Sequence, residues 1–97
     1  MARTPLPIAD IEAALDDLEG WAFVNDGLTK TFRFGSFREA MSFLIRVSFE
    51  AERLNHHPEI ENVYNRVTLT LRTHDADNKV TRFDIDLAAA IESFSWV

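Results

Sequence analysis

ERLNHHPEIENVYN, residues 52–65, is where a long helical pattern stops and an alternating one begins. Upstream, Ser36 and Glu39 in SFRE form a capping-box pattern. Behind it Phe37, Ala40, Met41, Leu44, Val47, Phe49, Ala51 and Leu54 lie broadly at helical spacing. This predicts a helix from about Phe37 to about Leu54. The His57-Pro58 step breaks it, because the residue before a proline avoids the helical region. Downstream, NVYNRVTLTLRTH sets Val63, Val67, Leu69 and Leu71 against Arg66, Thr68, Thr70 and Arg72. That is a strand with one buried face, although its phase slips near Asn65.

The remaining elements follow from this junction. DADNK reads as a turn and VTRF as a short strand. Thr81 with Asp84 offers a second capping box, opening a last helix over about residues 82–94. Near the start, IADIEAALDDL predicts a helix over roughly residues 8–18, with Ile8, Ile11, Ala14, Leu15 and Leu18 on one stripe and Gly20 closing it. WAFVNDGLTKTFRF reads as a hairpin turning at Asp26-Gly27, with room for a bulge between its arms. The order is α-β-β-α-β-β-α. It implies an α+β two-layer domain, a four-stranded antiparallel sheet with three helices on one face.

Ninety-seven residues make a single domain, 1–97, since so short a chain cannot build two cores. Eight Phe, two Trp and one Tyr supply bulky apolar surface for that core, yet a domain this small gains from self-association. A net charge of −6 argues against binding nucleic acid in a basic groove, and equally against docking on an anionic membrane. There is no cysteine, which excludes disulfides and thiolate zinc sites and fits a reducing compartment. MARTPLPIADIE contains no long apolar run, so neither a secretory signal nor a membrane span is expected, and the chain reads as cytoplasmic.

The chemistry-bearing residues are the three histidines. His56 and His57 sit where the long helix gives way to a strand, and His74 where that strand ends. Spanned directly, the strand would hold His56 and His74 about 30 Å apart. They meet only if residues 57–62 fold back along the sheet, or if another subunit supplies one ring. Three readings stand side by side. Each histidine can be a helix cap or a satisfied surface group. They can ligate a metal with Glu52 or Asp84, although adjacent histidines rarely point the same way and no His-x-x-x-His spacing exists. Or they can act as acid and base, since imidazole titrates near neutrality and carboxylates such as Glu52 and Asp84 fix its tautomer.

At these residues the chain resembles the pterin-4a-carbinolamine dehydratases, the DCoH family. The family pattern is an acidic or polar residue, three of any kind, His, His or Asn, and Pro. After five intervening residues comes Tyr or Trp, after nine more His or Trp, and after a variable gap Asp. Glu52, His56, His57, Pro58, Tyr64, His74 and Asp84 match it with every fixed spacing met. ERLNHHPE, NVYN and DIDLA follow the family's local wording, as do Gly20 and Trp21, and the likeness runs from about residue 8 to residue 94.

The resemblance implies removal of water from 4a-hydroxytetrahydropterin, formed when aromatic amino acid hydroxylases turn over, to give quinonoid dihydropterin. It implies a fold with the order derived above, no metal and no cofactor. His56 and His74 would exchange protons, His57 would hold the pterin and its hydroxyl, and Glu52 and Asp84 would support them, with Pro58 and Tyr64 as further pocket positions. Family members are dimers or tetramers, built by edge-strand pairing and helix packing. Ile60 departs from the family where relatives often carry an aromatic residue, and the DADNK turn differs slightly in length, which loosens the placement of Asp84. Two other functions remain open. One is a non-enzymatic interaction module of the kind that packs helices against a homeodomain transcription factor. The other is the same chemistry on a different pterin, such as one linked to molybdopterin.

Overall fold

The computed structural model describes residues 3–97. In chain order its elements are α1 (Ile8–Leu15), β1 (Ala22–Val24), β2 (Gly27–Arg33), α2 (Phe37–Leu54), β3 (Glu59–Val63), β4 (Arg66–Leu71), a 3₁₀ turn (His74–Ala76) and α3 (Arg82–Phe94). The four strands form one antiparallel sheet in the order β1-β2-β4-β3. One face carries Leu28, Phe32, Val67, Leu69 and Leu71, all buried against Ile11 of α1, Phe43 and Val47 of α2, and Leu87 and Ile91 of α3. The opposite face carries Thr29, Thr31, Thr68 and Thr70, paired across the strands by hydroxyl contacts at 2.9–3.3 Å. The architecture is therefore the two-layer α+β arrangement. Among the described residues, no helix is long and apolar enough to cross a membrane.

α2 begins where its caps place it. The Glu39 N–H donates to Ser36 Oγ at 3.2 Å, while the Glu39 carboxylate accepts from Gly35 N at 3.1 Å. One of the helix's unpaired donors is satisfied in this way, and the carboxylate ties down the residue before the cap. At the other end Asn55 adopts the left-handed conformation (φ 49°) and the His56 N–H donates to the Ala51 carbonyl at 2.9 Å. That closure throws the chain back toward the sheet. The helix buries Ala40, Phe43, Val47 and Ala51, so its core stripe is narrower than the spacing suggested: Phe37 and Phe49 face outward.

Three local expectations are corrected. The first helix ends at Leu15 rather than near residue 18; Asp16, Asp17 and Leu18 continue as tighter turns, each N–H donating three residues back. Ile8 is exposed while Ile11 and Leu18 are buried. The first hairpin turns at Asn25-Asp26, both at positive φ, one residue earlier than Asp26-Gly27. Gly27 lies in β2, and a Cβ there would fall 2.9 Å from Arg72 Nε, so its lack of a side chain makes room for that arginine.

The largest correction concerns the second hairpin. The single strand expected from residue 62 to 74 is two strands joined at Tyr64-Asn65, with Val63 opposite Arg66 and Glu59 opposite Thr70. Tyr64 takes φ 51° at the bend, and Asn62 Nδ2 donates to the carbonyls of Tyr64 (3.2 Å) and Arg66 (3.0 Å). VTRF is not a strand. Only one bridge, Thr73 to Lys79, forms there, and Thr81 already caps α3.

Candidate active site

The bend at Tyr64 is what brings the histidines together. β3 starts two residues after His57, and β4 runs antiparallel beside it to end three residues before His74. Residues 59–63 thus fold back along the sheet within one chain. His56, His57 and His74 line one cleft of about 290 Å³, with Asn55, Arg72, Asp75 and Arg3 completing its walls. A larger groove of about 480 Å³ lies between α1 and α3 around Leu18 and Ile85, away from the histidines.

The three rings sit in different surroundings. His56 is 4 % exposed and its Nε2 lies 2.5 Å from Asp84 Oδ1. Asp84 is fully buried in the first turn of α3. Its Oδ2 accepts from the Thr81 N–H at 2.9 Å and from Thr73 Oγ1 at 2.8 Å. Thr73 Oγ1 in turn contacts Thr81 Oγ1 at 2.6 Å, and Thr81 Oγ1 accepts from Phe83 N at 3.3 Å. Since the Thr73 proton goes to the carboxylate, the Thr81 hydroxyl donates to Thr73, and each hydroxyl has one donor role and one acceptor role. Among the described residues no buried side-chain polar atom is left without a partner. The carboxylate therefore has two duties, capping α3 through one oxygen and holding His56 through the other.

His57 is exposed and its Nε2 lies 2.6 Å from Glu52 Oε2, itself exposed one turn back on α2. His74 opens the 3₁₀ turn and faces solvent at the cleft. His56 and His57 thus engage different carboxylates through Nε2, Asp84 and Glu52 respectively. Among the described residues, no group of three or more His, Asp or Glu side chains is arranged to hold a metal ion.

The other candidate positions lie apart. Pro58 links His57 to β3 and does not line the cleft. Tyr64 sits at the far bend of the hairpin, exposed, with all of β3 between it and His57. The histidine pattern did not point to Thr73, Thr81, Arg72 or Arg3. Thr73 had a signal in principle, because it follows the inward phase of Val67, Leu69 and Leu71 by two residues. Arg3 had none. Its guanidinium reaches His56 Nδ1 (3.3 Å) and the Asn55 carbonyl (3.2 Å) from a segment without periodic pattern.

The chain is similar to several known proteins. The family model described as Pterin 4 alpha carbinolamine dehydratase matches residues 4–94. A protein of Opitutus terrae, provisionally named a pterin-4-alpha-carbinolamine dehydratase, is 61% identical over 94 residues, covering 97% of each chain. One of Novosphingobium aromaticivorans with the same provisional name is 51% identical over 96 residues, covering 97% of this chain and 99% of its own. The crystal structure of a transcriptional coactivator/pterin dehydratase from Brucella melitensis superposes with a TM-score of 0.86 at 38% identity, covering 92% and 96% of the two chains. A pterin dehydratase-like RuBisCO assembly factor of the alpha-carboxysome superposes at 0.61 with 23% identity, over 75% of this chain and 83% of its own; that likeness concerns the fold alone.

Proposed function

The chain belongs to the pterin-4a-carbinolamine dehydratase family, and on that premise we propose that it dehydrates 4a-hydroxytetrahydropterin to quinonoid dihydropterin by histidine acid–base catalysis. The observation that carries this reading is that His56 and His74, eighteen residues apart, line one cleft together with His57. Elimination needs a proton delivered to the departing hydroxyl and another taken from N5, while the N5 lone pair expels oxygen from C4a. Both transfers are within the scope of imidazoles that titrate near neutrality. The reaction needs modest assistance, and positioned acid and base groups contribute about 10²–10⁴-fold. No cofactor enters it. Asp84 orients His56 and Glu52 orients His57.

The physiological setting that suits this chemistry is recycling of a tetrahydropterin beside an aromatic amino acid hydroxylase in the cytoplasm. The protein also self-associates in this reading. Phe37, Met41, Ile45 and Phe49 recur at four-residue intervals along α2 and form an outward apolar stripe, with Ile45 60% and Phe49 66% exposed. A stripe of this kind on a small domain invites a protein partner, and a second copy offers the matching surface.

The direct experiment adds purified protein to a phenylalanine hydroxylase reaction and follows quinonoid dihydropterin. Wild type accelerates its appearance, and the double variant His56→Ala/His74→Ala does not. An equal rate with and without the wild-type protein, or an undiminished rate in the double variant, removes the assignment.

A further inference from the structure

Arg3 lies against the ring of the buried His56. The segment preceding α1 is tied to the body by Leu6, whose N–H donates to the Val80 carbonyl at 2.9 Å and whose side chain packs on the core. From there the Arg3 guanidinium lies over the Phe83 ring, 4.3 Å from its centre. Nη2 donates to the Asn55 carbonyl at 3.2 Å, and Nη1 lies 3.3 Å from His56 Nδ1. A guanidinium can only donate, and an ionised carboxylate can only accept. His56 Nδ1 therefore offers its lone pair to Arg3, and Nε2 carries the hydrogen given to Asp84. A second proton on the ring would set Nδ1–H against an arginine N–H, two donors and two positive charges face to face.

Resting on the dehydratase reading, we propose that Arg3 is a positioning residue that holds His56 as the neutral base, so that His57 or His74 supplies the proton to the departing hydroxyl. The Arg3 N–H occupies the place where the substrate's N5–H must come. One donor replaces another there, so binding requires no change of tautomer, and a 3.3 Å contact is long enough for a better-placed donor to displace it. The N5 lone pair forms C4a=N5, and the proton on N5 passes to His56 Nδ1, leaving the electrons of that N–H bond as the new lone pair on N5. The C4a–O bond breaks, and its oxygen takes a proton from an imidazolium and leaves as water. Solvent then carries the proton from His56 back to the exposed rings. The other charged groups at the cleft are Arg72, paired with Glu59 at 2.9 Å, Asp75, and Glu52 on His57. Among the described residues, Arg3 is the group bonded to His56 Nδ1.

The test reads the ring directly. Nitrogen NMR of the histidines in free wild-type protein at neutral pH should show His56 protonated on Nε2 alone. Arg3→Met keeps the side chain's length and removes its charge; a larger fraction of His56 should then be doubly protonated at the same pH. A base must be neutral to work, so the acid limb of the kcat/KM profile should move to higher pH. The resulting loss is roughly three- to tenfold at about pH 6 and shrinks as pH rises. Arg3→Lys should bring the limb back toward wild type. If Arg3 only straps the segment down, Arg3→Met lowers thermal stability and leaves ring and limb unmoved, which overturns the proposal; so does a wild-type ring protonated on Nδ1. The spectra need no substrate, so an inactive wild type defeats the dehydratase reading while the NMR still judges Arg3.

Discussion

Asp84 Oδ1 lies 2.5 Å from His56 Nε2 although 28 positions separate the two residues in the chain. One end of this contact is set by the left-handed cap of α2 at Asn55, the other by the first turn of α3. Both helices also pack against one another and on the same sheet face. The ring is thus aimed by two helix termini that are themselves held by the core, and the hydroxyls of Thr73 and Thr81 lock the carboxylate between them.

Thr73→Val tests that lock. The variant keeps the shape of the side chain and removes the hydroxyl, so Asp84 Oδ2 loses one of its two donors and the Thr81 hydroxyl loses its acceptor. Leaving buried polar groups short of partners costs about 1–3 kcal/mol, read as a lower midpoint in urea unfolding. Thr73→Ser retains the hydroxyl and should recover most of the loss. Dehydratase turnover should fall in the same order, because the carboxylate that aims His56 is less firmly held.

The outward stripe of α2 predicts assembly. Wild type should elute with a mass that is a multiple of the 11.1 kDa chain. Ile45→Glu should run as a monomer in light scattering. Because Ile45 is exposed within one chain, the folded monomer itself should change by no more than about 0.5 kcal/mol. A wild type that is monomeric at every concentration would contradict self-association through this helix.

Tyr64 carries a backbone cost. Its φ of 51° lies in the left-handed region, which disfavours residues with a Cβ by about 1–2 kcal/mol. Glycine removes that strain but brings back about 0.5–1 kcal/mol of unfolded-chain entropy. Tyr64→Gly should therefore range from unchanged to about 1.5 kcal/mol more stable on thermal unfolding. Its turnover should stay close to wild type, since β3 places this bend about 17 Å from His57. A large loss of activity would mean that a second subunit brings its bend to the cleft.

Much of the fold is legible because its helices are strongly punctuated. Ser36 with Glu39, the His-Pro step and the Thr81/Asp84 box gave α2 and α3 the bounds that the structure has, since caps are local and obey short-range chemistry. The hairpin between them was hidden for equally physical reasons. β3 is an edge strand whose residues Glu59, Ile60, Glu61, Asn62 and Val63 are nearly all exposed, so no alternation of burial marks it. Its bend carries Tyr and Asn where glycine would have announced a turn. VTRF misled in the opposite sense: Val80 and Thr81 are buried by the loop that packs them, without a ladder to pair with. Glu52, His56, His57, His74 and Asp84 could be picked out as chemical groups, whereas Arg3 becomes visible only through tertiary contacts to residues 55, 56 and 83.

Because His57 and His74 lie just beyond the paired ends of β3 and β4, the spacing of the imidazoles is counted off by rungs of that ladder, from Glu59 opposite Thr70 to Val63 opposite Arg66. Extra residues at the Tyr64-Asn65 tip would enlarge only the loop. One extra residue within either arm would slide a histidine by about 3.3 Å and turn its neighbours over. Natural variation in length should accordingly collect at the tip and spare the arms.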